Sequence, residues 1–313
     1  MQKTVVIWFG ALICCAFWGS AFPAVKIGYR LFEIPAGAVS AQILFAGIRF
    51  TLAGLLIIFF GSIIGKRVLL PKKASIPRIL KLSLIQTVLQ YIFFYIGLAN
   101  TTGVKGSIIT ATNVFLAIFV ASLLFHQEKL TTKKVVGSLI GFSGVILINL
   151  TPGGMDASFQ LMGEGLMFLA SLSNAFASVY IKRYSQLDDP IMLTGYQFLA
   201  GGIVLSVIGF LFGGRINTWT APSVMMLLYL GALSAIAYTL WSILLKYNPV
   251  SKVAVFGFMN PVIGVILSGL ILGEGEQAFG GKSILALILV SVGIYITVGE
   301  RTNAAQKNQM HST

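Results

Sequence analysis

Carboxylates are scarce in this chain of 313 residues, and missing from the positions where membrane chemistry would use them. All nine, Glu33, Glu128, Asp156, Glu164, Asp188, Asp189, Glu274, Glu276 and Glu300, fall at the ends of apolar stretches or in the connections between them. Proton relays and cation sites inside a bilayer normally rest on a deep carboxylate, so carboxylate-driven proton antiport is disfavoured. Histidine offers no substitute, because His126 ends an apolar stretch and His311 sits in a polar tail. The two cysteines, Cys14 and Cys15, are adjacent within the first apolar stretch, which suits neither a disulfide framework nor a metal site. No GxSxG, Walker A, HExxH or CxxC pattern occurs. No enzyme activity is expected, and neither is a catalytic residue, a cofactor or a metal.

What the chain has instead is apolar length. It is 57% hydrophobic and 10% charged, whereas a soluble domain carries about 25% charged residues. Stretches of roughly 20 apolar residues, enough to cross a bilayer, recur at 4–29, 38–65, 77–99, 104–125, 133–150, 161–182, 190–213, 221–246, 252–272 and 282–299. The expectation is an all-α membrane protein of ten transmembrane helices. The first stretch reads as a retained span rather than a cleaved signal peptide, since it is too long, contains Trp18 and has no clean small-x-small site after it. The connections, such as "TPGGMD", "QLDDP" and "KYNPVSK", are short and rich in turn residues, with no room for a soluble domain. Residues 301–313 read as a disordered cytoplasmic tail.

Basic residues orient the spans. Of the 22 Lys and Arg, Arg49 falls inside a span, and Lys26, Arg30, Lys105, Arg215 and Lys282 fall on one side. All the others fall on the side that holds the termini, so both termini are expected in the cytoplasm and the chain in the cytoplasmic (inner) membrane. The net charge of +13 then reflects topology and contact with anionic membrane lipid, and needs no nucleic acid.

An internal repeat is also visible. "NVFLAIFVASLLFHQE" from Asn113 and "NPVIGVILSGLILGE" from Asn260 each lead into a span that ends in "GVILI" or "GIYIT". The chain divides into five-span halves, 1–152 and 153–300. Five is odd, so the halves insert with opposite orientation, and inverted repeats of this kind enclose a central site in secondary transporters.

At the level of motifs, "AFWGSAFPAVKIGYR", "FAGIRFTLAGLL", "GVILI", "GEGLMFLASLSNAFASVYIKR" and the "NP" followed by "LILGE" resemble the EamA-type transporters of the drug/metabolite transporter superfamily. The resemblance implies a ten-helix carrier with spans 1, 3, 4, 6, 8 and 9 around a central cavity and the other four more peripheral. Many relatives have a proline after the asparagine of span 4. This chain has Val114, which puts a hinge there in doubt.

The candidate cavity residues are polar and aromatic stripes on those six spans. They are Trp18, Phe22 and Lys26; Tyr91 and Tyr95, flanked by Gln86, Thr87 and Gln90; Thr110 and Asn113; Asn174 and Ser178, beside Ser171; Tyr238 and Trp241, beside Ser234; and Asn260. Each stripe reads either as interhelical packing with local hydrogen bonds or as cavity wall. Pro23 and Pro261 lie within spans, each removing a backbone hydrogen bond, as static kink or as hinge. Arg49 lies some 15 Å deep at about 1.5 Å per residue, where a guanidinium costs at least ~3 kcal/mol. It reads first as a structural brace for polar groups between spans, with substrate or gating contact as the alternative. "GSLIG" at 137–141 offers either a homodimer face or close packing within the chain.

The expected function is a secondary transporter, a permease working as an exporter by alternating access. Its small-molecule substrate is a neutral, zwitterionic or weakly anionic organic metabolite such as an amino acid. A proton-coupled drug/metabolite efflux carrier is the alternative, and a channel or a non-transporting scaffold would be a different class.

Overall fold

The structure, a computed structural model, describes residues 4–126, 130–149, 160–247, 257 and 259–298. The expected boundary between halves at 152/153 and the tail at 301–313 lie outside the described residues. Among the described residues the chain is all-helical, without strands. The principal helices are α1 (Thr4–Leu31), α2 (Val39–Ile64), α3 (Lys73–Ala99), α4 (Gly103–Leu124), α5 (Thr132–Asn149), α6 (Leu161–Tyr184), α7 (Pro190–Leu211), α8 (Ala221–Tyr247), α9 (Met259–Leu272) and α10 (Gly281–Val298). Counted over the described residues, seven of them, α1–α4 and α6–α8, are long and apolar enough to cross a membrane. The spans expected at 133–150, 252–272 and 282–299 fall on α5, α9 and α10, each of which borders residues outside the described set.

Helices form here because a chain in lipid must satisfy its backbone internally. Their association then depends on close contact between small residues, since lipid is as apolar as leucine. The α2–α7 pair shows this directly. A Cβ added to Gly47 would lie 2.3 Å from the Ser206 nitrogen, one at Gly54 2.5 Å from that of Leu199, and one at Gly202 2.3 Å from that of Thr51. The two backbones touch. The α5–α10 pair uses the same device, with a Cβ at Gly293 falling 2.4 Å from the Gly137 carbonyl oxygen and 2.6 Å from the Gly141 nitrogen. The "GSLIG" face is thus occupied within the chain. Elsewhere α1 packs on α8 and α9, while α6 packs on α3 and α4, and α4 also meets α9.

The largest core sits between α1, α2, α3, α7 and α8, where Phe45, Phe50, Tyr95, Phe198 and Leu205 are almost fully buried. Phe59, Phe60, Val207 and Phe210 on α2 and α7 face outward, as lipid-facing positions do. At one end of the bundle Asp189 accepts from the Ile191 and Met192 backbone nitrogens ahead of Pro190 and so caps α7. Asp188 there pairs with Arg78 at 3.1 Å.

Two local irregularities bear on the site. The middle of α3, Ser83–Leu89, winds as a wider π-type turn, a distortion common near functional sites. Helix α4 is interrupted at Ala111–Thr112, just before Asn113. There the Ala111, Thr112 and Val114 nitrogens reach back three residues, and the Thr112 hydroxyl donates to the Ile109 carbonyl at 2.7 Å. A break in span 4 therefore exists without proline, because tight turns and a threonine side chain take over the carbonyls. By contrast, Pro23 lies inside an α1 that stays helical from Thr4 to Leu31, and Pro261 lies in the first turn of α9, where its missing N–H costs little.

Candidate functional site

A cavity of about 230 Å³ opens between α1, α3, α4, α6, α8 and α9, with Arg49 of α2 and Lys134 of α5 also reaching its wall. Helix α1 supplies Trp18 and Phe22, α3 supplies Gln86, Gln90, Tyr91 and Phe94, and α4 supplies Thr110 and Asn113. Helix α6 adds Ser171, Asn174, Ser178 and Lys182, α8 adds Tyr238 and Trp241, and α9 adds Asn260 and Pro261. The stripes on the six helices therefore converge on one space.

Lys26 and Tyr95 do not line it. The ammonium of Lys26 donates to the Thr101 carbonyl at 2.6 Å, tying α1 to the α3–α4 connection. Tyr95 is fully buried, with its ring between Tyr29, Phe45 and Phe94. Lys182 was missed as a wall residue, although it continues the Asn174–Ser178 stripe by one turn. Lys134 follows no such pattern.

Arg49 is 2% exposed. Its Nε donates to the Leu230 carbonyl at 3.2 Å, one terminal nitrogen to the Tyr95 hydroxyl at 2.5 Å and the other to the Ser234 hydroxyl at 2.9 Å. The guanidinium carbon also lies 5.0 Å from the centre of the Phe50 ring. One planar fork thus joins α2 to α3 and α8, and Arg49 is also among the residues that line the cavity. Beside it the Tyr91 and Tyr238 hydroxyls bond to each other across α3 and α8. Trp18 stands edge-on to Tyr238 and Trp241, at 5.2 and 4.9 Å between ring centres.

Four polar atoms of the wall find no partner among the described residues: the indole nitrogen of Trp18 and the amide oxygens of Gln90, Asn113 and Asn260. Buried polar atoms are nearly always satisfied, so each exception needs an explanation. A polar ligand or water in the cavity supplies one.

Away from the cavity wall, two carboxylates tie helix ends together. Glu164 is 3% exposed and accepts from the Thr101 hydroxyl at 2.8 Å, the Gln160 nitrogen at 2.8 Å and the Lys105 ammonium at 3.2 Å. Glu274, at the end of α9, accepts from the Gly103 and Val104 nitrogens at the start of α4, at 3.2 and 3.0 Å. That places a carboxylate on a helix N-terminus. None of these acids lines the cavity.

The chain is 26% identical to an "uncharacterized transporter" of Archaeoglobus fulgidus over 96% of this chain and the whole of that protein. It is 28% identical to the uncharacterized transporter YvbV of Bacillus subtilis (strain 168), over 92% of this chain and 90% of the other. It is 27% identical to the uncharacterized inner membrane transporter YedA of Escherichia coli (strain K12), over 92% of each chain. A solved crystal structure shares the fold, with a TM-score of 0.66 over 95% of this chain and 96% of that one at 16% identity. The profile of the EamA-like transporter family matches residues 5–150 and 161–299. With that coverage and these apolar helices, the chain is a multi-pass membrane transporter that belongs to the EamA-like transporter family.

Proposed function

We propose that the protein is a secondary transporter that exports small organic metabolites across the cytoplasmic membrane by alternating access. In this reading the ten helices form two inverted five-helix halves, with both termini in the cytoplasm. The helix contacts support it, because they are paired as a two-fold axis requires: α2 on α7, α5 on α10, and α1 on α8 and α9 as α6 is on α3 and α4. The two family matches, one on each side of residues 151–160, fit the same division, and the E. coli relative is named as an inner membrane protein.

The observation that carries the proposal is the cavity, where six helices converge with amide and indole atoms that find no partner among the described residues. A solute leaving water needs such groups to replace its hydration, and carriers place them between the repeats. Proton coupling has no support in the wall, since Glu164 is engaged by three donors away from it. Transport is therefore read as facilitated diffusion or exchange. Purified protein in proteoliposomes should show saturable uptake and counterflow. Linear, non-saturating flux would indicate a channel instead, and absence of flux for every metabolite class a scaffold.

A further inference from the structure

Among the described residues the cavity wall holds cations and no acid: Arg49 and Lys182 line it, and no aspartate or glutamate does. Every group that Arg49 contacts is neutral: the Leu230 carbonyl, the Tyr95 and Ser234 hydroxyls and the Phe50 ring. Those bonds commit three of the five N–H groups of a guanidinium. Lys182 also donates to a neutral acceptor, the Leu245 carbonyl at 3.1 Å. A cation held out of water without a counter-charge is costly, and low dielectric strengthens its attraction for an anion.

The remaining wall completes the description of a ligand. Phe22, Phe94 and Trp241 offer apolar surface, while among the described residues the Trp18 donor meets no acceptor and the Asn113 and Asn260 amide oxygens meet no donor. Relying on the transport reading only for passage through the membrane, we propose that this cavity selects an organic monocarboxylate with an aromatic or similarly apolar body. Its carboxylate takes the spare N–H groups of Arg49, a geometry that a planar fork favours. Its ring lies among the aromatic side chains, and any hydroxyl or N–H on its body meets the two asparagines. A cation of the same shape is repelled, and a zwitterion finds no carboxylate for its ammonium.

The test is isothermal titration of the purified wild-type protein at neutral pH with phenylacetate, phenylacetamide and phenethylamine, which share one body and differ in charge. Phenylacetate should bind at least about tenfold more tightly than the amide, and the amine should not bind. Equal or tighter binding of the amide or amine, or no binding of phenylacetate, overturns the proposal. Arg49→Gln should bring the acid-to-amide affinity ratio close to one, which a purely structural arginine would not do, and an unchanged ratio removes Arg49 from the site. Should that variant not fold, the three-ligand series on the wild-type protein decides alone. Acid binding without flux of any metabolite would leave this selectivity standing and remove the transport reading. Saturable counterflow of amines would do the reverse.

Discussion

The phenol of Tyr91 on α3 is hydrogen-bonded to the phenol of Tyr238 on α8, and both rings belong to the wall of the central cavity. The pair is a link between helices as well as a surface for a ligand. Tyr91→Phe and Tyr238→Phe should each cost about 1 kcal/mol of stability, and the double variant should cost less than their sum, because each single change already breaks the shared bond. Thermal unfolding of the four proteins in detergent checks this. Fully additive losses would mean that the hydroxyls are not coupled.

Arg49 satisfies a carbonyl and two hydroxyls that have been withdrawn from water. Arg49→Ala should therefore lower stability by on the order of 3 kcal/mol, since those groups lose their partner in a low dielectric. Arg49→Lys should rescue poorly, because an ammonium cannot reach the same three acceptors with one planar fork. Folded yield and melting temperature read the outcome, and a lysine variant as stable as the parent would contradict it.

Contact between α2 and α7 leaves no room for a methyl group at Gly202, whose Cβ would lie 2.3 Å from the backbone of Thr51. Gly202→Ala should destabilise the fold by about 1–3 kcal/mol through overpacking. Gly37→Ala, where nothing lies within 4 Å, serves as the neutral control. Comparable stability of the two variants would show that the helices do not meet so closely.

Glu164 is bound by three donors and lies off the cavity wall, so it is not placed to relay protons to a substrate. An imposed pH gradient across proteoliposomes, without a substrate gradient, should give no uphill accumulation. Accumulation that collapses with a protonophore would reverse this expectation, and its loss in Glu164→Gln would identify the group responsible.

Orientation has its own test. In a background lacking the buried Cys14 and Cys15, Asn217→Cys in the exposed α7–α8 connection should react with an impermeant thiol reagent from outside intact cells. Lys72→Cys, exposed near the start of α3, should react only once the membrane is broken. The opposite pattern would invert the proposed topology.

The sequence by itself determined that the chain folds as apolar helices, because a backbone in lipid has to satisfy its hydrogen bonds locally and because composition records which stretches meet lipid. It also indicated which face of α1, α3, α4, α6 and α8 turns inward, since polar and aromatic residues three and four apart share one face. Only the tertiary structure decided how far along those faces the cavity extends. Lys26 is one turn beyond Phe22, and Tyr95 one turn beyond Tyr91, yet neither reaches it, because α1 and α3 are already closed there by the Thr101 carbonyl and by Arg49. Lys182, one turn beyond Ser178 in the other direction, does reach it. Periodicity specifies an angle around a helix and carries no information about depth, which depends on where the neighbouring helices touch. The break before Asn113 was hidden for a related reason. It is made by three-residue backbone turns and the Thr112 hydroxyl, and these have no sequence signature as plain as a proline.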